Sequence, residues 1–288
     1  MFGQTSHRPI NALLNERLEA RRPLIAVHRG TGSGMIVENT APAVAAALRS
    51  GADMVEIDVI ASTDGDYFVF HDGYENAHFG LDRNLQELST EEIEALSYRQ
   101  RSDEPVRVER LETVLRSFPG VLFNIDRSWR YWQHLLGWFD RFDMAEQLIL
   151  KSPPEPSALE FLRRHPVKYP FVVIVSTEAE LDAVASDPLI NLVGAELIAA
   201  DESHPFCDPE WVTELRQRGI FAYVNALDLG NGRALMAGWD DTRSVLDDAD
   251  EGWGRLVELG ADVIQTDWPA LLSGYLGSRT DRAVARTS

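Results

Sequence analysis

Glu56 and Asp58 lie two residues apart in the run MVEIDV (54–59), and a second run, YFVF (67–70), leads directly into His71-Asp72. Both runs are dense in branched or aromatic side chains and read as strands. Side chains alternate along a strand, so the two carboxylates point to the same face. Two acids and a histidine brought to one place are groups suited to proton transfer and to holding a cation. Taken singly, each has a structural alternative: Glu56-x-Asp58 as an ion-paired strand end, and His28 in LIAVHRG as a satisfied core histidine.

The elements that would position these groups alternate along the chain. Strand-like runs fall at 24–28, 54–59, 121–126, 147–151, 171–176, 191–197, 220–225 and 263–266. Helical segments such as APAVAAALRSG, LETVLRSF and DPEWVTELRQRG lie between them, many preceded by Ser, Thr or Asp and closed by Gly, as helix capping requires. Eight strand–helix pairs in 288 residues predict an α/β fold, a single (β/α)8 TIM barrel, with a doubly wound open sheet as the competitor. Residues 1–23, with an amphipathic helix over 9–21, would precede the barrel; the barrel would span 24–275, and 276–288 would form a flexible tail.

The barrel has a test within the sequence, because catalytic groups in this fold stand at the C-terminal strand ends. His28 ends the first strand, Glu56 and Asp58 lie near the end of the second, Asp126 ends the third, Lys151 the fourth and Asn225 the seventh. Buried polar groups are costly unless paired, so packing alone does not explain this recurrence on one rim. Other polar segments have simpler readings. Asp64-Gly65 is a tight-turn signal. GTGSG (30–34) lacks a phosphate-loop pattern and reads as a flexible loop. Asp240-Asp241 and DDADEG (247–252) read as a solvated loop and the acidic start of a helix.

A net charge of −19 excludes a long basic groove for nucleic acid and would repel an anionic substrate, so a phosphate ligand would need a local cation or metal. The chain has two lysines, Lys151 and Lys168, which makes a lysine at a strand end informative. No apolar run approaches the ~20 residues of a membrane helix, so no stable membrane insertion is expected. The N-terminus lacks the apolar stretch of a secretory signal, and the single cysteine, Cys207, reads as a small loop residue rather than a reactive thiol; the expected location is cytoplasmic.

Together the motifs HRG, ENT, GADMVEIDV, DG and HD in 28–72 resemble the N-terminal signature of glycerophosphodiester phosphodiesterases. The likeness continues through LQELSTEEIEAL, VERLETVL and LGADVIQTDWPALL, covering about 24–272. It implies a (β/α)8 barrel with one divalent cation, and all-oxygen ligands favour Mg²⁺ or Ca²⁺. Carried over, it makes His28 and His71 the acid–base pair, with His28 favoured as acid, Arg29 a phosphate ligand, and Glu56 and Asp58 metal ligands. Asp72 would orient His71 or cap the turn after it. Relatives commonly carry E-x-K at the end of the third strand, where this chain has NIDRSW. Asp126 takes the acid position, with Glu196 as the substitute third ligand, and Arg127 or Lys151 would replace the missing cation. YVNALD (223–228) stands where many relatives have W-T-V-N, so Tyr223, Asn225, Lys151 and Trp268 would make a non-standard substrate pocket.

The expected activity is metal-dependent hydrolysis of a small glycerophosphodiester-like or sugar phosphodiester, through a cyclic phosphate. Acid–base work by each histidine contributes roughly 10²–10⁴-fold, which falls short of the ~8–23 kcal/mol that enzymes supply and leaves an electrostatic share for metal and arginine. The alternatives are an opine-type (agrocinopine) sugar-phosphodiester hydrolase, a sphingomyelinase-type phospholipase D, and a non-catalytic phosphodiester-binding barrel.

Overall fold

The computed structural model describes residues 1–99 and 104–287, with side chains to residue 280. Its strands are β1 (Leu24–Val27), β2 (Met54–Ala61), β3 (Tyr67–Val69), β4 (Glu109–Arg110), β5 (Leu122–Asp126), β6 (Leu148–Ser152), β7 (Phe171–Val175), β8 (Leu192–Leu197), β9 (Phe221–Asn225) and β10 (Val263–Thr266). Eight of them run parallel in the order β1-β10-β9-β8-β7-β6-β5-β2, and β2 pairs back to β1. The sheet is therefore a closed (β/α)8 barrel and not an open one, and each expected barrel strand lies within two residues of its predicted limits. β3 and β4 add an antiparallel extension to the far end of β2.

Alternation along each strand separates two environments. Val55, Ile57 and Val59 of β2, Phe123 and Ile125 of β5, and Ala222 and Val224 of β9 pack outward against the helices in the main hydrophobic cluster. Their neighbours point inward: Met54, Leu122, Ile149, Val172, Phe221 and Val263 form the apolar lower layer of the barrel. Phe2 and the helix Ala12–Ala20, through Leu14 and Leu18, close that layer from below. Burying a leucine here contributes about 1.5–3 kcal/mol, enough to hold the N-terminal helix as a floor. One register higher on the same inward face come Glu56, Asn124, Lys151 and Tyr223, and the interior turns polar.

Residues 62–99 and 104–110 belong to an insertion with its own core of Phe68, Phe70, Leu85, Ile93 and Tyr98, to which Val37 and Ile60 also belong. It opens with the expected turn, where Gly65 takes φ +86°. Residues 276–287, expected as a flexible tail, are helical instead: the last helix runs Pro269–Thr287. Tyr275 and Leu276 pack on the main core, and Arg279 lies 3.3 Å from Glu258 and 3.5 Å from Asp250, partners not visible in a polar terminal sequence. Among the described residues no helix is long and apolar enough to cross a membrane.

Candidate active site

At the C-terminal rim, β2 and β5 run side by side with Glu56 opposite Asn124 and Asp58 opposite Asp126. One oxygen each from Glu56, Asp58 and Asp126 lies within 4.8 Å of the others. Three hard oxygen donors at this spacing suit Mg²⁺ or Ca²⁺. Burial, then the neighbouring Asp58, pushes the Glu56 carboxyl up to about 8, a repulsion that a divalent cation would relieve. Glu196 is not part of this group, and Asp126 is the third acid of the cluster.

Arg29 covers the acids. Its backbone N–H donates to Glu56 Oε2 at 2.8 Å, and its guanidinium meets Glu38 at 2.7 Å and Asp58 at 3.2 Å. Nε points at Asp58 without hydrogen-bond geometry and has no protein acceptor. Asn39, from the ENT stretch, exchanges two hydrogen bonds with Asp58, at 2.9 Å and 3.0 Å. Arg29, just past β1, and Asn39, just before the helix Ala41–Arg49, both have left-handed backbones, at φ +54° and +55°; the conformation is costly for arginine and tolerated by asparagine.

The two histidines sit in opposite environments. His28 Nδ1 is 3.0 Å from Asp267 Oδ1, at the end of β10. Burial would lower its pKa, but the Asp267 hydrogen bond and the charges of Glu56 and Asp267 outweigh it and raise the value above 6.5. His71 Nδ1 is 2.7 Å from the Asp72 carbonyl, which can only accept, so Nδ1 carries the proton and Nε2 is left bare. Burial, reinforced by Arg29 and Arg127 and opposed by Asp58, lowers its pKa below 6.5. It is thus the main chain of Asp72 that orients His71; the Asp72 carboxylate instead pairs with Arg127 at 2.6 Å and Gln86 at 3.1 Å.

Lys151 lies deeper than expected. It is fully buried, with Nζ 2.8 Å from Asp126 and 2.9 Å from Glu196, and Asn225 donates to Glu196 at 2.8 Å. Burial opposes its charge, yet the two acids outweigh that and hold Lys151 well above its ordinary value. Burial likewise works against ionised Asp126, but Lys151 and the Arg127 N–H keep it below the usual carboxylate range. Tyr223 is also enclosed, with its hydroxyl on Gln265.

Above these layers opens a cleft of about 890 Å³, walled by His28, Arg29, His71, Tyr74, Asp267 and Trp268 among others. Lys151, Asn225 and Tyr223, expected in the substrate pocket, are not among its walls: all three are buried, Lys151 and Asn225 against Glu196 and Tyr223 against Gln265. Thr31, Gly32 and Ser33 of the GTGSG loop do line it. Asp267 went unnoticed in the sequence, although the strand-end criterion applied to five of the other strands would have found it.

The family model described as "Glycerophosphoryl diester phosphodiesterase family" matches residues 28–271. The chain belongs to that family. As a glycerophosphodiester phosphodiesterase it is a phosphoric diester hydrolase. Among curated proteins, a glycerophosphodiester phosphodiesterase of Arabidopsis thaliana is 24% identical over 88% of this chain and 73% of its own length. A glycerophosphoryl diester phosphodiesterase structure from Parabacteroides distasonis has TM-score 0.70 at 16% identity and covers 92% of each chain. An Oleispira antarctica phosphodiesterase, solved with the product sn-glycerol-3-phosphate, has TM-score 0.64 at 18% identity, over 90% of this chain and 99% of its own. At these identities the structures share the barrel, and the chemistry must be argued from the side chains.

Proposed function

We propose that the chain hydrolyses a glycerophosphodiester in two steps through a cyclic phosphate, with His71 as the first base and His28 as the first acid. The observation that carries this is the opposite tuning of the two imidazoles on one cleft: His28 is favoured protonated by Asp267, and His71 neutral with Nε2 bare. A divalent cation held by Glu56, Asp58 and Asp126 would supply positive charge for the non-bridging oxygens. Arg29, which walls the cleft beside both histidines, would bind the phosphate.

In the first step His71 Nε2 takes the proton of the hydroxyl next to the phosphorylated carbon, and that oxygen bonds to phosphorus. The bond to the leaving alcohol breaks, and His28 Nε2 gives that alcohol its proton. In the second step the roles reverse: neutral His28 takes a proton from water, which opens the ring, and protonated His71 returns its proton to the glycerol oxygen. The product is a phosphomonoester. An internal hydroxyl has an effective molarity on the order of 10⁵–10⁸ M, which free water cannot match. Comparing a glycerophosphodiester with its analogue lacking the adjacent hydroxyl, by phosphorus NMR, tests the route. Equal rates, with solvent oxygen entering the first product directly, would exclude it.

A further inference from the structure

Asp241 was expected at a solvated helix start, and it is buried. Its neighbour Asp240 is the residue that caps the helix Asp241–Leu246. Asp241 faces the opposite way, into the end of β10. Its Oδ1 accepts from Trp253 Nε1 at 2.7 Å and Thr266 Oγ1 at 2.8 Å, and its Oδ2 accepts from the Asp267 N–H at 2.8 Å. The Thr266 hydroxyl, its proton committed to Asp241, accepts the Trp268 N–H at 2.9 Å. One carboxylate therefore holds three consecutive residues, Asp267 by its backbone N–H, Thr266 by its hydroxyl and Trp268 through that hydroxyl, and two of the three wall the cleft.

We propose that Asp241 is a positioning residue of the reaction, clamping the 266–268 turn so that Asp267 stays against His28. The Asp267 side chain is 50% exposed, and His28 is the side chain it meets. What fixes its direction is the backbone beneath it, and that backbone hangs on Asp241. An acid stripped of its water is costly to bury for packing alone; three donated hydrogen bonds from two elements give this one a defined task. The inference rests on His28 acting as the acid toward the leaving alcohol.

That dependence supplies the test. An alkyl leaving group needs a proton, whereas p-nitrophenolate leaves without one. With the metal-loaded full chain, the single-turnover rate of alcohol release, which reports the first step alone, is measured on glycerophosphoalkyl and glycerophospho-p-nitrophenyl diesters for the native protein, His28→Asn, Asp241→Asn and Thr266→Val. Asp241→Asn should lower that rate on the alkyl diester by about 10²-fold, the lower end of an acid–base contribution, and on the aryl diester by less than about threefold. Thr266→Val keeps the shape, removes one strut, and should show the same selectivity at about tenfold, which decides the matter if the asparagine variant does not fold. A proportional loss on both substrates, or no loss, while His28→Asn is selective would overturn the role of Asp241. If His28→Asn itself shows no selectivity, the acid assignment fails instead.

Discussion

Replacing Lys151 by methionine keeps much of the side-chain length and removes the positive charge between Asp126 and Glu196. Both acids then stay buried without a counter-charge, and breaking a buried ion pair from one side costs about 3–5 kcal/mol. At roughly 2.1 cal/mol/K per residue over 288 residues, the unfolding entropy is about 0.6 kcal/mol/K, so Tm should fall by ~5–8 °C at neutral pH. The difference should depend on pH in a set direction. In the native protein Asp126 is depressed, so its stabilisation is full above the unfolded carboxylate range near ~4 and is lost only as pH falls through the lower folded value. In the variant the Lys151 contribution that lowers Asp126 is gone while its burial remains, so the gap is widest at neutral pH and narrows toward about pH 5. Thermal melts from pH 5 to 8, with and without Ca²⁺, measure this, and saturating Ca²⁺ should recover part of the loss. A Tm change below about 2 °C together with a kcat loss beyond about 10²-fold would refute the reasoning and make Lys151 a contact of the substrate.

Asp126→Asn should weaken Mg²⁺ or Ca²⁺ binding by at least about tenfold while the barrel persists; unchanged calorimetric affinity would remove Asp126 from the ligand set. Because the metal must displace a proton from Glu56 below about pH 8, affinity should rise with pH up to that point, with heats that depend on the buffer. The kcat profile should be a bell with limbs on either side of 6.5: the acidic limb reports His71, active when neutral, and the alkaline limb His28, active when protonated. Asp267→Asn should move the alkaline limb to lower pH, and a stationary limb would show that Asp267 does not tune His28. Leu14→Ala should cost about 2–5 kcal/mol in denaturant melts without changing kcat, since it opens the floor far from the rim.

The barrel was legible because each strand carried its own signal, branched residues between capped helices, and the rim was legible because polar residues recurred at strand ends. Spacing alone placed Glu56 beside Asp58. What one sequence could not show is depth. Lys151 and Asn225 stand at or near the ends of their strands as His28 does, but they are buried against Glu196, and only the closed sheet decides that. Partnership was equally hidden: Asp267 meets His28 across 239 residues, and Asp241 looks from sequence like its solvated neighbour Asp240. The His71 ring is oriented by a carbonyl, a group every residue carries, so no residue type could have announced it.

The apolar floor of Phe2, Leu14 and Leu18 has a kinetic corollary. With the interior packed beneath the rim, a diester at the proposed site, and its products, would enter and leave through the cleft walled by His28, His71 and Trp268. On the proposed two-step route, water and the leaving alcohol would reach the cyclic phosphate from that same side. Added leaving-group alcohol should then compete with water, run the first step backward, and exchange label into unreacted diester at a rate set by its own concentration.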